Sequence, residues 1–227
     1  MTICPVIHAL IFDFDGTILD TETPEFYIWQ QIYRDHGTEL ALQEWVLGVG
    51  AIGAFDPYEA LQQRAPDLVL NRDELRAYAR ARHEPVIHAQ APRDGVVEVL
   101  QNARARGLRL AVASSSMHDW VDAHLKRLGL FEYFDIVCCR DDVAPGRAKP
   151  HPDIYQAALA ALGVRAAEAI AIEDSLNGMR AALAAGIFTV VTPNPVTAQL
   201  DFSQADLVLP SLTQLDLDVM SKKSPSS

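Results

Sequence analysis

The apolar positions of the chain follow two patterns, short continuous runs and longer segments with helical spacing. The first run, 6–12, is rich in aromatic and branched residues, as buried parallel strands are. From residue 94 onward, similar runs alternate with helical segments. Such β-turn-α units fold into a parallel sheet with helices on both faces. We therefore predict an α/β fold with a Rossmann-like core, whose further strands lie near 108–113, 135–138, 169–172, 187–191 and 207–209.

Residues 21–90 interrupt this alternation, because their apolar positions keep helical spacing without a strand-like run. Pro24 suits the first turn of one helix, and Asp56 before a proline suits the start of another. Asn71 is typical of a helix N-cap, and the helix that it begins should end near Pro85. We predict an all-helical insert over this range.

The insert defines the domain organisation. We expect residues 1–20 and 91–220 to form the core, residues 21–90 to form a helical cap, and the polar segment 221–227 to be disordered. Ligands of parallel α/β sheets bind outside the carboxyl ends of the strands, so functional residues are expected there.

Composition limits the possible partners. The 227 residues carry a net charge of −11, which repels nucleic acid and anionic membranes. No apolar run is long enough to cross a bilayer, and no basic segment marks a signal peptide. The cysteines, Cys4, Cys138 and Cys139, have neither a disulfide-framework pattern nor CxxC metal spacing. We expect a monomeric, cytoplasmic protein that binds a small molecule.

Two carboxylates follow the first predicted strand. Asp13 and Asp15 lie two residues apart, so on extended backbone they point to the same side, and Gly16 lets the chain turn after them. Converging acids at the end of a buried strand favour a hard divalent cation such as Mg²⁺ between them. An ordinary Asp-Gly turn after a strand explains this stretch equally well.

Further polar residues follow other predicted strands, and a parallel sheet would bring them to the same edge. Each has a simpler explanation of its own: the serines could cap a helix, the lysine could be solvated, and the acids could favour a helix start. A phosphate ester would use these residues together with Asp13 and Asp15: one Asp would be the nucleophile, the other would donate and accept the proton, and cations would balance the phosphate charge. The further residues are Ser114 to Ser116, Lys149, Glu173 and Asp174.

Four motifs carry a resemblance to a known family. DFDGTILDTE begins at Asp13, LAVASSS ends at Ser116, KPHPDIY begins at Lys149 and IEDSLNGMRAALAAG begins at Ile172. In this order they resemble the haloacid dehalogenase superfamily, in the subgroup of β-phosphoglucomutase-like phosphatases. The resemblance implies a Mg²⁺-dependent phosphatase of a small phosphorylated metabolite, with an aspartyl-phosphate intermediate and a cap that closes over the site.

The resemblance also implies roles for individual residues. Asp13 would be the nucleophile and a metal ligand, and Asp15 would be the general acid and base, binding metal through its carbonyl. Asp174, with Glu173 beside it, would complete the Mg²⁺ site. The residues that would bind the substrate phosphate are Ser114, Ser115 and Lys149.

Two departures from the family pattern bear on function. The loop before Lys149 is longer than usual, which leaves Arg147 as a helper or a replacement for this lysine. Glu25 stands where the sugar phosphomutases of the subgroup carry a histidine, which favours water as the phosphoryl acceptor. The alternatives are a phosphomutase of the β-phosphoglucomutase type and a binding protein of the same fold without turnover.

Residues 48–53 match the GxGxxG pattern of dinucleotide-binding proteins. They follow a helical segment instead of a strand and open no helix directly, so the match does not indicate a nucleotide site. We interpret them as a cap loop that selects the substrate together with Glu25 and Phe55.

Overall fold

The fold comes from a computed structural model, which describes residues 6–50 and 55–220. Within these ranges the strands are β1 (Ala9–Phe12), β2 (Arg109–Ala113), β3 (Ile136–Cys138), β4 (Ala169–Glu173), β5 (Phe188–Val191) and β6 (Leu207–Val208). They form one parallel sheet in the order β3-β2-β1-β4-β5-β6. The central strand is β1, and its last residue, Phe12, pairs with Val112 and Ile172. The carboxyl ends of β1, β2 and β4 therefore lie side by side.

A helical insert separates β1 from the rest of the core. Its described helices are α1 (Glu22–Asp35), α2 (Leu42–Trp45), α3 (Pro57–Arg64) and α4 (Arg72–Ala89). Two of the predicted helix starts are confirmed, because the Asp56 carboxylate accepts the Tyr58 N–H at 3.0 Å and the Asn71 amide oxygen accepts the Asp73 N–H at 3.1 Å. The insert buries an apolar cluster around Phe26, Trp29, Ile32 and Tyr33, into which Val196 of the core also packs.

The predicted end of α4 near Pro85 is wrong, because the helix continues through this proline to Ala89. A proline inside a helix removes one backbone hydrogen bond and crowds the preceding turn. Packing outweighs that cost here, since Ile87 in the following turn is fully buried in the main core cluster. The last turn of α4 therefore ties the insert to the core.

The core helices cover both faces of the sheet. Along β1, Leu10 and Phe12 belong to one apolar cluster, whereas Ala9 and Ile11 belong to another. The predicted fold class is confirmed. The helices of this part are α5 (Val96–Ala105), α6 (His118–Arg127), α7 (Asp153–Leu162), α8 (Leu176–Ala184) and α9 (Leu217–Met220), with short 3₁₀ turns at Phe131–Tyr133, Arg140–Asp142, Ala166–Glu168 and Leu212–Gln214.

Arg93 lies in the second connection between the insert and the core, and its side chain binds to the core. Its guanidinium donates to the backbone carbonyls of Thr192 at 3.0 Å and Pro193 at 2.8 Å, and also to that of Gly16. These acceptors belong to the loops after β5 and β1, so the Arg93 side chain links its own segment to two core loops at the edge where the strands end.

Among the residues that the structure describes, no helix is both long and apolar enough to span a membrane. Predictions for Cys4 and for the tail 221–227 lie outside the described residues.

Candidate active site

Three buried acids meet where β1 and β4 end. Asp13 follows β1, and its N–H donates to the Ile172 carbonyl at 2.9 Å, which fixes it beside β4. Carboxylate oxygens of Asp13, Glu173 and Asp174 lie within 4.8 Å of one another, and all three residues are buried. Gly16 allows this approach, because a Cβ there would lie 2.2 Å from the Asp174 carboxylate and its φ is +82°.

Lys149 is the cation buried among these acids. Its Nζ donates to Asp13 Oδ1 at 2.5 Å and to Glu173 Oε1 at 2.6 Å, and the residue is 3% exposed. Burial alone would lower the pKa of Lys149, but the Asp13 and Glu173 carboxylates outweigh it and raise that pKa. Tyr155 donates to the same Glu173 oxygen at 2.5 Å. Lys149 is therefore held as an ammonium directly beside the predicted nucleophile.

The site keeps an excess of negative charge despite this lysine. Burial raises the pKa of Asp13 to about 7, with Glu173 adding to the rise and Lys149 opposing it. Burial, Asp13 and Glu173 together raise the pKa of Asp174 well above its usual range. Thr17 and Asn194 donate to Asp174 at 3.3 and 2.7 Å, so its orientation is set although its charge is not balanced.

These acids fit a hard divalent cation. Carboxylate oxygens are the ligands that Mg²⁺ prefers, and three converging carboxylates with one ammonium leave negative charge that a cation would neutralise. Asp13, Glu173 and Asp174 are the residues that would hold it. The predicted metal contact through the Asp15 carbonyl stays a prediction.

The Asp15 carboxylate lies outside this group of three acids and has its own set of donors. It accepts hydrogen bonds from the hydroxyls of Thr21 at 3.0 Å and Ser116 at 2.6 Å, and from the indole N–H of Trp120 at 2.9 Å. Sequence reasoning treated Trp120 only as an apolar residue of α6 and missed this contact. The helical periodicity carries no signal for it, because the contact joins α6 to the loop after β1, 105 positions apart in the chain.

The three serines of the loop after β2 differ in their surroundings. Ser115 and Ser116 line a cavity above the acids. Ser114 is fully buried, and its hydroxyl accepts the Ser116 N–H at 3.0 Å, which shapes the loop. Phosphate binding by Ser114, Ser115 and Lys149 stays a prediction.

The alternative role of Arg147 beside Lys149 is not supported. Arg147 is partly exposed and binds both carboxylate oxygens of Asp153 at 2.8 Å, whereas Lys149 reaches the acids. Asp153 opens α7 and offers the guanidinium a matching pair of acceptors at the protein surface.

A cavity of about 340 Å³ lies between the acids and the insert. Core residues form its floor, among them Asp13, Asp15, Ser116 and Trp120. The insert supplies the opposite wall. Those wall residues include Glu22, Glu25, Trp45, Gly48, Val49, Gly50, Phe55 and His83. The first part of the predicted selection loop therefore reaches the cavity, and residues 51–53 lie outside the described ones.

Residues 7–186 match the family model for haloacid dehalogenase-like hydrolases. The chain belongs to this family. The match confirms the family that the four sequence motifs predicted, and the core acids and lysine lie within the matched range.

Individual relatives are similar to this hydrolase over nearly its whole length. The Bacillus subtilis (strain 168) protein named "Putative phosphatase YhcW" is 41% identical, covering 95% of this chain and 96% of that protein. The phosphoglycolate phosphatase of Thiobacillus denitrificans is 31% identical, covering 94% and 96%. The crystal structure of CbbY from Rhodobacter sphaeroides in complex with phosphate has a TM-score of 0.70 at 30% identity, covering 92% of this chain and 96% of that one.

Proposed function

We propose that this hydrolase is a Mg²⁺-dependent phosphatase that hydrolyses the monoester of a small metabolite through an aspartyl-phosphate on Asp13. The observation that carries this proposal is the buried Lys149 ammonium, which lies 2.5 Å from the carboxylate of Asp13 on the cavity floor. Similarity to relatives that are named phosphatases supports the same reaction. Mg²⁺ on the three acids would offset the repulsion between carboxylate and phosphate and stabilise charge on the transferring group.

The first step transfers the phosphoryl group to the protein. A carboxylate oxygen of Asp13 attacks phosphorus, the new O–P bond forms, and the bond from phosphorus to the ester oxygen breaks. Asp15 gives its proton to the leaving oxygen. Lys149 holds Asp13 in place and supplies positive charge beside the phosphoryl oxygens.

The second step releases phosphate. Asp15, now ionised, takes a proton from water, and the resulting hydroxide oxygen attacks the phosphorus of the aspartyl-phosphate. The O–P bond to Asp13 breaks, so inorganic phosphate leaves and both aspartates return to their starting states. Hydrogen bonds from Thr21, Ser116 and Trp120 hold Asp15 in reach of both oxygens. The insert excludes bulk water from the site during transfer.

Water is the proposed acceptor instead of a second sugar hydroxyl. Glu25, an acid, lines the cavity where the family's sugar phosphomutases carry a histidine. Conversion of a sugar 1-phosphate to its 6-phosphate with little free phosphate would instead identify a phosphomutase.

Replacement of the nucleophile tests the proposal. Asp13→Asn should abolish phosphate release from every ester that the wild type hydrolyses, because an amide does not attack phosphorus. Asp35→Asn, at the exposed end of α1, is the matched control and should keep wild-type rates. Asp15→Asn, mixed with p-nitrophenyl phosphate, whose leaving group needs no proton, should accumulate protein heavier by one phosphoryl group in intact-mass measurements, because the second step still needs Asp15. Turnover by Asp13→Asn, or no mass increase in Asp15→Asn, would contradict the mechanism.

A further inference from the structure

His83, on α4 of the insert, contacts two residues that donate hydrogen bonds to Asp15. Asp15 Oδ1 accepts the Thr21 hydroxyl at 3.0 Å and the Trp120 indole N–H at 2.9 Å. Nε2 of His83 lies 3.0 Å from the Thr21 carbonyl oxygen. The His83 ring stacks on the Trp120 ring, with ring centres 6.2 Å apart and planes inclined by 15°. One insert side chain thus contacts the two residues that bind Asp15 Oδ1.

The contact with Thr21 is a hydrogen bond of fixed direction. A backbone carbonyl only accepts, so Nε2 of His83 carries the proton and donates it. Thr21 is 4% exposed and directly precedes α1, at the first connection between the core and the insert. Its carbonyl binds His83 while its hydroxyl binds Asp15, so the bond to His83 restrains the residue that carries the hydroxyl.

The contact with Trp120 restrains the second donor. An indole has one N–H, and rotation of the ring would turn this group away from Asp15. His83 lies along one face of the ring, whereas His124 meets it edge-on with ring centres 4.1 Å apart. Ring contacts of this kind stabilise a protein beyond the area that they bury. His124 belongs to the same core helix as Trp120, and His83 joins the ring to the insert.

Glu25 gives His83 a second candidate role. Both residues line the cavity, and His83 opposes the rise that burial causes in the pKa of Glu25. A role in binding the organic part of a substrate would run through this neighbour. Such a role affects esters of similar shape alike, whereas a role in placing Asp15 depends on the basicity of the leaving oxygen. The two roles therefore predict different kinetics.

We propose that His83 is a positioning residue for proton transfer, which keeps Asp15 aimed at the leaving oxygen through Thr21 and Trp120. The inference rests on the proposed phosphatase function, in which Asp15 protonates that oxygen. It adds an insert residue to the groups that place the general acid. The insert then contributes to the chemistry of the core and not to enclosure of the cavity alone.

The experiment compares phenyl phosphate with p-nitrophenyl phosphate, two esters of nearly the same shape. Phenolate is the more basic leaving group, so its departure depends more on a proton from Asp15. Because kcat/KM covers the steps up to this departure, the ratio of the two kcat/KM values, phenyl over p-nitrophenyl, reports the placement of Asp15. With Mg²⁺ present, His83→Ala should lower this ratio about fivefold, as for the loss of one hydrogen bond.

Further variants separate the two contacts. His83→Phe keeps an aromatic ring but loses the donor to Thr21, and His83→Gln keeps an N–H donor but loses the ring. Each should lower the ratio less than His83→Ala. In a Trp120→Phe background, His83→Ala should have a smaller effect than in the wild type, because one of its two routes to Asp15 is already lost.

His36→Ala is the matched control, because it also deletes a contact between a histidine and a backbone carbonyl of the insert, Nδ1 to Ile32 at 2.7 Å. It should leave the ratio unchanged. A loss of folded protein lowers both rates equally, so it does not move the ratio. If His83→Ala leaves the ratio unmoved, whether or not the rates fall, the positioning role is wrong and the phosphatase function stands. If the wild type releases phosphate from neither ester, the phosphatase function itself fails.

Discussion

The floor and the insert wall of the cavity both carry acids, but only the floor acids receive hydrogen bonds from other described side chains. On the floor, each carboxylate has named donors: Lys149 binds Asp13, Asn194 binds Asp174, and Trp120 binds Asp15. On the wall, Glu22 and Glu25 have none within the described residues. A phosphoryl group is the same in every monoester, so its site gains from being preorganised. In the part of the chain that the structure describes, the insert wall lacks such fixed hydrogen bonds at Glu22 and Glu25.

We expect the largest effect from removing Lys149, the cation beside the floor acids. Lys149→Met should lower kcat/KM at least about a hundredfold, since positive charge at the transferring group is lost. It should also lower the free energy of unfolding by about 3–5 kcal/mol, because Asp13 and Glu173 are left buried without a counter-charge. Activity assays and denaturant unfolding measure the two effects. Lys126→Met, an exposed lysine on α6, is the control, and equal losses in both variants would contradict the prediction.

The next largest effect is the dependence of the protein's stability on pH and on Mg²⁺. The pKa of Asp13 is raised to about 7 in the folded protein, mainly by burial, from an ordinary value of 3.8. Between these values the unfolded chain binds fewer protons than the folded one, so metal-free stability should fall as pH rises from about 4 to 7. Mg²⁺ should raise the melting temperature most near pH 7 and remove this slope.

Chelation should also abolish phosphate release, and added Mg²⁺ should restore it. Asp174→Asn is the informative variant, because it removes one repelling charge from the group of three acids. Its metal-free form should melt no lower than the metal-free wild type near pH 7, and Mg²⁺ should stabilise it less. Equal stabilisation of both proteins by Mg²⁺ would place the ion elsewhere.

The smallest effect concerns Trp120, a floor residue that touches the general acid and base. Trp120→Phe keeps an aromatic ring but deletes the N–H that donates to Asp15 at 2.9 Å. We expect kcat to fall about tenfold, as for the loss of one hydrogen bond to a charged group, with a smaller change in KM. Trp29→Phe, on α1 in the apolar cluster of the insert, makes the same chemical change away from Asp15 and should leave kcat unchanged. A change confined to KM would assign Trp120 to binding alone.

Sequence patterns predicted much of the core because its signals are local. Strand runs, helix caps at Asp56 and Asn71, and acids directly after β1 and β4 each depend on residues adjacent in the chain. The rule that parallel strands end at one edge then placed Asp13 near Glu173 and Asp174. The local rule that proline ends a helix failed at Pro85, where burial of Ile87 outweighed the helix-breaking tendency of proline.

Periodicity and short motifs were enough to predict the fold class, the family and the residue types at the strand ends, because residues close together in the chain encode them. Which side chains meet became visible in the folded protein alone: Lys149 and not Arg147 reaches the acids, Trp120 donates to Asp15, and Glu22 lines the cavity. These pairs are separated by long stretches of chain. Their contacts depend on how helices pack and how loops turn, and no pattern of neighbouring residues reports that geometry.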